Sequence, residues 1–416
     1  MKDAALSSAP GTSPAWLVVL AAAISAAAVM GIWQTMGLYV RPITAGPGPG
    51  REAFGLSIAF AHIIWGVSAP VIGAVADRYG SRIVITMGLL ATAVGLITLR
   101  SAASQDLLLL AGVFLGLGLA GAGIGAAVGA VARSAPPEEQ SSAIAALGLG
   151  SAIGIIAVLP ITHLLIDEIG WRNSLSVLAA AVLIVVPLVL ATRDRPRLAS
   201  DRSGDDFVAA LSTAFASPSF WLINAGFFVC GFHVTFFATY LPSFVGDLGL
   251  PDGDAVLALM LVGLGNLAGI VLAGKCGRIM PLRTGLSLIY LGRALVFLGF
   301  LYLPLTGMTV ILLSGLLGVL WLSTVPLTST LVVNLYGTRW ATMLFGVVFF
   351  SHQVGAAAGG WLGGMVFDQF KSYDIMWWVS VGLGLFAALL QVPIKESSAH
   401  RPALFGDREQ AHREVV

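Results

Sequence analysis

The stretch GAVADRYGSR, from Gly73 to Arg82, places an aspartate, two arginines and two glycines between two long apolar runs. The run before it covers residues 53–76, and the run after it covers residues 83–100. A helix needs about 20 mostly apolar residues to cross a bilayer, and both runs are close to that length. The stretch is therefore typical of a short charged loop that joins two membrane-spanning helices.

The composition of the whole chain agrees with spanning helices. Of the 416 residues, 57% are hydrophobic and 10% are charged, whereas an ordinary soluble domain carries about 25% charged residues. The 50 glycines and 19 prolines are tolerated in membrane helices because small residues allow close packing and neighbouring groups satisfy freed carbonyls. We therefore predict an all-α membrane protein.

Outward from the opening stretch, apolar runs divide the chain into twelve predicted helices in two sets of six. They cover residues 15–40, 53–76, 83–100, 107–132, 141–166, 173–192, 218–246, 255–274, 284–303, 308–335, 341–367 and 374–393. A weaker counterpart of the opening stretch, IVLAGKCGRI, begins at Ile270, 197 residues further along, as an internal duplication would give. We predict two pseudo-symmetric six-helix bundles, which cover residues 1–192 and 218–396. A cytoplasmic linker, 193–217, joins them, and a cytoplasmic tail covers 397–416.

The 22 basic residues are divided unevenly between the two predicted sides of the membrane. The side opposite the termini carries only Arg41, Arg51, Arg100, Arg172 and Lys371. Loops rich in Lys and Arg stay in the cytoplasm, so we predict a multi-pass protein of the bacterial inner membrane with both termini cytoplasmic. The net charge of +1 offers no basic face for nucleic acid.

Signals for cleavage, metals and cofactors are missing from the sequence pattern. The segment from Met1 to Pro14 is polar and the first apolar run reaches spanning length, which is unlike a cleavable signal peptide. Cys230 and Cys276 form no CxxC motif. We predict no metal and no cofactor.

The opening stretch matches the pattern G-x-x-x-D-R-x-G-x-R with Gly73, Asp77, Arg78, Gly80 and Arg82 in register. In this it resembles the loop motif of the major facilitator superfamily. The resemblance implies a twelve-helix transporter in which the acid and bases of the loop pair with neighbouring helix ends and lock one access state. These five residues are then expected to be gating residues, and the alternative is an ordinary charged loop.

Three further stretches are similar to the monocarboxylate-porter-like branch of bacterial facilitators. They are GWR from Gly170, CGFHVTFFATYLP from Cys230, and FGVVFFSHQVGAAAGGWLGG from Phe345. One departure is clear: porters of monocarboxylates and of oxalate and formate carry an arginine in helix eight where this chain has Asn266. Their substrate-binding charge cannot be transferred to that position.

Arg293 is the one strong charge that falls deep within a predicted helix, and all 21 acidic residues lie in loops, tails or helix ends. A charge at such depth costs at least about 2.5–3.5 kcal/mol on insertion scales, so a partner must compensate it. One interpretation is that the planar guanidinium pairs with an anionic substrate. The alternative is that it binds backbone carbonyls or extends to the membrane surface.

Other polar or aromatic side chains lie at useful depths in the runs, and each could contact a solute or pack against another helix. They are His352, Gln353, His233, Asn266, Trp321, Thr324, Trp33 and Gln34. We expect His62 and Trp65 to face another helix and His163 to be structural. Without a buried carboxylate, any coupled proton must be carried by a histidine or by the substrate.

These features predict a secondary transporter that moves a small organic anion, with or without a proton, by alternating access within the bilayer. The nearest alternative is an exporter of a drug, metabolite or vitamin-like compound on the same scaffold. A membrane-embedded enzyme would need a cluster of nucleophile, base or metal ligands that the sequence does not offer. The glycine run of helix four lacks the lysine and the preceding strand of a phosphate-binding loop, which disfavours transport driven by ATP.

Overall fold

The computed structural model describes residues 13–46, 48–135, 139–193, 204–337 and 340–396. This part of the chain is helical and contains no strand. Its helices are α1 Ala15–Gln34, α2 Val40–Thr44, α3 Arg51–Tyr79, α4 Ser81–Arg100, α5 Gln105–Ala122, α6 Ile124–Ser134, α7 Gln140–Leu190, α8 Gly204–Phe215, α9 Pro218–Asp247, α10 Asp252–Ile279, α11 Leu282–Tyr302, α12 Gly307–Val319, α13 Thr324–Tyr336, α14 Ala341–Phe370 and α15 Asp374–Gln391. A short 3₁₀ turn, Met36–Tyr39, joins α1 to α2.

Eleven apolar segments of the described residues are long enough to cross a membrane, and one of them is long enough to cross it twice. That segment, Ser142–Leu190, is 49 residues long. Its two helices meet at Gly170, where φ is 77° and ψ is 156°, a left-handed backbone conformation that favours glycine. The described chain therefore has twelve spans, and the predicted all-α membrane fold is confirmed.

We number the spans in chain order. Span 1 is α1 with α2, spans 2 and 3 are α3 and α4, span 4 is α5 with α6, and spans 5 and 6 are the two parts of α7. Spans 7, 8 and 9 are α9, α10 and α11, span 10 is α12 with α13, and spans 11 and 12 are α14 and α15. The predicted tail 397–416 and residues 194–203 of the predicted linker lie outside the described residues, whereas the rest of that linker contains α8.

Helices of the first six spans pack on one another, as do helices of the last six. In the first half α1 packs on α7 and α4 on α5, and in the second half α9 packs on α14 and α11 on α15. The two halves meet where α3 packs against α14 and, less extensively, where α7 packs against α10. The 3₁₀ turn Met36–Tyr39 also packs against α9. A site shared by both halves is therefore expected along these helices and their neighbours.

Two spans that the sequence pattern predicted as continuous are broken. Span 4 breaks at Gly123, whose backbone is extended with φ −74° and ψ −172°. Span 10 breaks after Val319, and its second helix starts at Thr324. Leu320, the first residue after α12, lies 197 residues after Gly123, the same displacement that separates the two loop stretches. The duplication is therefore visible in the backbone as well as in the sequence.

The spacing between α3 and α14 changes along their length. A Cβ atom added at Gly55 would lie 2.4 Å from the carbonyl oxygen of Gly360, and one added at Gly66 would lie 2.9 Å from the Phe350 ring. A Cβ atom added at Gly73 would meet no atom within 4 Å. We call the end of the molecule that carries Gly73 and Tyr79 the motif end, and the opposite end the Arg51 end. The halves touch at the Arg51 end and diverge toward the motif end.

The other helices between the halves show the same divergence. Added Cβ atoms at Gly148 of α7, Gly274 of α10 and Gly346 of α14 would also meet nothing within 4 Å, and all three glycines lie toward the motif end. A cleft between the halves therefore opens at the motif end.

Candidate solute-binding site and gates

His62 of α3 joins the two halves near the middle of the membrane. Its Nδ1 atom lies 2.7 Å from Oε1 of Gln353 on α14, and its Nε2 atom lies 3.1 Å from Oγ1 of Thr235 on α9. An amide oxygen only accepts hydrogen bonds, so Nδ1–H donates to Gln353. His62 thus contacts the second half through both ring nitrogens, in line with the expectation that it faces another helix.

Aromatic rings surround this polar centre. Trp33 of α1 meets the His62 ring edge-on with centroids 5.2 Å apart, and Trp65 stacks on it at 6.0 Å. Phe349 contacts Trp65 at 5.5 Å and stacks on His352 at 6.0 Å with an interplanar angle of 4°. We call Trp33, His62, Trp65, Thr235, Phe349, His352 and Gln353 the central cluster. Apolar walls with a few converging polar atoms are typical of small-molecule sites.

Two polar atoms of the central cluster have no hydrogen-bond partner within the described residues. They are Nε2 of Gln353, which is fully buried, and Nδ1 of His352, which is 9% exposed. A buried polar atom without a partner costs about 1–3 kcal/mol, which a bound solute with hydroxyl or carbonyl groups would recover. Gln34 lies beside Trp33 on α1 and is half-buried. The cluster therefore offers unused hydrogen-bonding capacity in a closed, largely uncharged setting.

His233 lies away from the central cluster. It is 1% exposed, and its Nε2–H donates to the backbone carbonyl of Ser380 on α15 at 2.9 Å. Its ring packs edge-on against Phe297 at 4.8 Å. These contacts are the helix-to-helix packing that the sequence left open as the alternative for His233.

Arg293, Asn266 and Trp321 come together at the break in span 10. Arg293 is 1% exposed and donates from Nε and Nη2 to the carbonyl oxygen of Leu320, at 3.0 and 2.7 Å, and from Nη2 to that of Trp321. Asn266 accepts a hydrogen bond from the backbone N–H of Leu322 through Oδ1 at 3.0 Å. Arg293 thus binds backbone carbonyls, the second of its two interpretations from sequence. Its Nη1 atom is buried and has no partner within the described residues.

The motif residues pair within the first half. Asp77 accepts from Nη1 of Arg133 on α6 at 2.6 Å, and Nη2 of Arg133 donates to Ser81. Arg78 is exposed above the Tyr79 ring, and Arg82 is half-buried. Gly80 turns the chain between α3 and α4 with φ 90°. The assignment of the motif as a gate stays a prediction, because an added Cβ atom at Gly73 would meet no described atom within 4 Å in this state.

Sequence reasoning missed a charged cluster at the Arg51 end. Arg51 of α3 donates to both carboxylate oxygens of Asp247 on α9, at 2.5 and 2.9 Å, and to Oη of Tyr373 at 2.7 Å. Burial raises the pKa of the Tyr373 hydroxyl above its usual range, so the group stays protonated. The Asp368 carboxylate of α14 accepts from the backbone N–H groups of Arg51 at 3.2 Å and of Glu52 at 2.8 Å, which caps the start of α3.

A second ion pair lies beside this cluster. Arg41 of α2 donates to Asp252 of α10 at 3.0 Å, and both side chains are largely exposed. In each case a basic group of the first half meets an acid of the second. The only signal in the sequence was that Arg41 and Arg51 are two of the few basic residues on that side, and the pairing itself depends on how the halves meet.

Two sets of six spans around a cleft that is closed at one end and open at the other define a membrane transporter. The family model described as Major Facilitator Superfamily matches residues 15–360. The chain therefore belongs to the Major Facilitator Superfamily, and the superfamily inferred from the loop motif is confirmed.

Curated relatives match part of the chain. A probable sugar efflux transporter of Haemophilus influenzae is 28% identical over 153 residues, which is 36% of this chain and 37% of that protein. The sialic acid transporter NanX of Escherichia coli is 27% identical over 210 residues, 49% of this chain and 51% of that protein. The chain thus spans between about a third and half of the length of these relatives.

Solved structures agree in fold along nearly the whole chain. A D-xylose–proton symporter superposes with a TM-score of 0.74 at 15% identity, covering 94% of this chain and all of that one. The nucleoside transporter NupG superposes with a TM-score of 0.77 at 12% identity, covering 92% of this chain and all of that one. At these identities the likeness concerns the fold.

Proposed function

We propose that this protein is a secondary transporter for a small, neutral, hydroxylated solute of sugar-like size, bound at the central cluster. The observation that carries the proposal is the His62–Gln353–Thr235 centre between Trp33, Trp65 and Phe349. Flat aromatic faces pack against the C–H face of a sugar ring, while amide, imidazole and hydroxyl groups exchange hydrogen bonds with its hydroxyls. The name of one curated relative, a sugar efflux transporter, supports the same class. The other, a sialic acid transporter, supports the sugar-like size but not the neutral charge, because sialic acid carries a carboxylate.

The proposed solute is neutral, whereas the sequence predicted an organic anion, and the charges around the central cluster distinguish the two. The central cluster contains no Arg, Lys, Asp or Glu, and Nε and Nη2 of Arg293 are already bound to carbonyls. A carboxylate in the cluster would lose its hydration without a cation to pair with, which is costly. A neutral solute therefore fits the cluster better than an anion.

A small organic anion remains the second candidate, because one observation favours it. Nη1 of Arg293 is buried and finds no partner among the residues that the structure describes, and a monocarboxylate that entered the second half could bind it. The predicted resemblance to monocarboxylate porters belongs to this candidate, and so does a proton that would accompany the acid.

Alternating access would proceed by separation of the halves at the Arg51 end and closure at the motif end. We place both termini in the cytoplasm of a bacterial inner-membrane protein, on the distribution of basic residues. In that orientation the present state is open to the cytoplasm. The motif residues Gly73, Asp77, Arg78, Gly80 and Arg82 would then hold the opposite state closed.

Exchange across proteoliposomes tests the proposal without assuming direction or coupling. Labelled D-xylose, D-glucose, sialic acid and lactate are offered to vesicles loaded with the unlabelled compound, with and without a pH gradient. We expect exchange of a neutral sugar, and in Gln353→Leu a KM raised about tenfold because a hydrogen-bonding pair to the solute is lost.

The matched control is Gln105→Leu, an exposed glutamine at the start of α5, which should exchange like wild type. Exchange of lactate but no sugar, abolished by Arg293→Gln and kept by Gln353→Leu, would reject the neutral solute in favour of the anion. Stimulation by the pH gradient would identify a proton as the coupled ion.

A further inference from the structure

The break in span 10 is held by two neighbouring helices. Between Val319 and Thr324 the backbone leaves the helix, and in a membrane the polar groups freed there must find protein partners. Arg293 of α11 takes the carbonyls of Leu320 and Trp321, and Asn266 of α10 takes the N–H of Leu322. We call Arg293 and Asn266 the clasp.

The positive charge of the clasp matches the electrostatics of the break. The free carbonyls at the end of α12 form the negative end of a helix dipole, and a cation placed there is stabilised. Arg293 is 1% exposed and makes its three hydrogen bonds to these carbonyls, so it is fixed rather than mobile. This accounts for a buried arginine that has no carboxylate partner in the described part of the molecule.

The corresponding break in span 4 has no such clasp. Counted from the helix starts, α10 and α11 lie 201 residues after α3 and α4, so the positions of Asn266 and Arg293 are occupied by Trp65 and Thr92. Trp65 belongs to the central cluster, and the Thr92 hydroxyl donates to the Gly88 carbonyl of its own helix at 2.9 Å. An arginine–asparagine clasp is therefore particular to the second half.

A chain of contacts runs from the break to the central cluster. Thr324, the first residue of α13, lies with its Oγ1 atom 3.4 Å from Sγ of Cys230 on α9. On the same helix the next residue, Gly231, packs directly against the backbone of His352 on α14. His352 stacks on Phe349, with its Nδ1 atom unpartnered. The break is thus connected to His352 through Thr324 and the segment of α9 that carries Cys230.

We propose that Arg293 and Asn266 are positioning residues, which clasp the break in span 10 so that Thr324 and Cys230 hold His352 in the orientation that binds solute. The inference rests on the proposed function only in taking His352 as a solute ligand. It assigns Arg293 no direct contact with the solute.

The reactivity of the Cys230 thiol can be measured without any solute, and it depends on whether the clasp is intact. It is fully buried, and Cys276 is the other cysteine of the chain, so Cys276→Ser leaves Cys230 as the single thiol. In the full-length purified protein we measure the rate at which N-ethylmaleimide labels Cys230. Arg293→Gln should raise this rate about tenfold and Asn266→Ala by a smaller factor, because loss of the clasp lets the packing around Thr324 open locally.

The second readout is solute exchange by the same variants. Both should raise KM, by about five- to tenfold for Arg293→Gln, with a smaller change in Vmax, because a misoriented His352 weakens binding. Arg293→Lys, which can reach only part of the carbonyl set, should lie between wild type and Arg293→Gln. Arg100→Gln, an exposed arginine at the Arg51 end, is the matched control and should match wild type in both readouts.

The outcomes distinguish a positioning role of Arg293 and Asn266 from no role in binding and from direct contact between Arg293 and an anion. Monodisperse Arg293→Gln protein with a protected Cys230 and a normal KM would overturn the inference, as would faster labelling with an unchanged KM. A raised KM with Cys230 still protected would also overturn it, in favour of direct contact between Arg293 and an anion. If Arg293→Gln does not fold, the milder Asn266→Ala decides by the same criteria. Failure of every sugar to exchange would refute the proposed solute and leave the labelling result intact.

Discussion

Charged residues gather at both ends of the molecule, but they pair differently at each. At the Arg51 end, Arg51 of the first half meets Asp247 of the second, and Asp368 of the second half caps α3 of the first. At the motif end, Asp77 meets Arg133 within the first half. Pairs across the interface close one end, while a pair inside one half leaves the other end free to open.

The pairs that close the Arg51 end are unequal in strength. The Arg51 side chain is 10% exposed and forms a bidentate pair with Asp247, with its guanidinium 3.6 Å from the centroid of the Phe367 ring. The Arg41–Asp252 pair is 42% and 60% exposed, and exposed pairs contribute only about 0.2–1 kcal/mol. Closure of this end therefore depends mainly on Arg51 and Asp247.

The largest expected effect is that of Asp247→Asn, which removes the charge that neutralises Arg51. We expect it to destabilise the closed Arg51 end by about 2–3 kcal/mol, between the values for exposed and buried pairs. Spin labels at Ser104 and Lys371, in a variant without Cys230 and Cys276, should then show a longer distance in much of the population.

Asp106→Asn is the control for this measurement, because Asp106 is an exposed carboxylate near the same end. It should leave the distance distribution as in wild type. An unchanged distribution in Asp247→Asn as well would mean that the ion pair does not hold the end closed.

A smaller effect is expected from Gly73→Leu at the motif end. The added side chain meets nothing within 4 Å in the present state, so solute affinity should stay unchanged. If the motif end closes during transport, the leucine must be accommodated, at a cost of about 1–3 kcal/mol, and turnover should fall about tenfold or more.

The control is Gly382→Leu on α15, where an added Cβ atom also meets nothing within 4 Å. Turnover should be kept there, as measured by exchange in proteoliposomes. Equal turnover in both variants would argue that Gly73 never approaches the second half.

The smallest effect concerns the cap that Asp368 provides for α3. Asp368→Ala should destabilise the closed Arg51 end by about 0.5–2 kcal/mol, whereas Asp368→Asn should lose less, because its one amide oxygen can still accept one of the two backbone N–H groups. The same pair of spin labels measures both variants. If both variants open this end to the same extent, the charge of Asp368 matters and the capping hydrogen bonds do not.

The spans could be predicted because length and hydropathy are local properties of the chain. The motif could be recognised for the same reason, since Gly73 to Arg82 is a continuous stretch. The break at Gly123 was missed because it lies inside an apolar run and involves no proline. The break at Leu320 lies six residues before Pro326, a signal that the sequence prediction did not use. The helix α8 was missed for a different reason, because it lies within a segment predicted as linker.

The candidate site could be predicted only in part. Depth in the membrane can be estimated from sequence, which brought His352, Gln353, His233 and Arg293 into consideration. The direction in which a residue faces could not be read, because these helices are apolar on all sides and have no polar face to orient them. Hence Gln353 joins the central cluster with His62, while His233 faces α15. Arg51 was seen only as a charge on one side, because its partner lies 196 residues away.

The close approach at Gly66 makes α3 a lever. From Gly66 to Tyr79 the helix extends about 20 Å, at 1.5 Å per residue, and His62 lies only one turn on the other side of that point. A rotation of about 20° around Gly66 would carry Tyr79 through about 7 Å and His62 through only about 2 Å, given that rise per residue. A site next to the fulcrum can thus keep its hold on a solute while the far end of the same helix opens or shuts the passage.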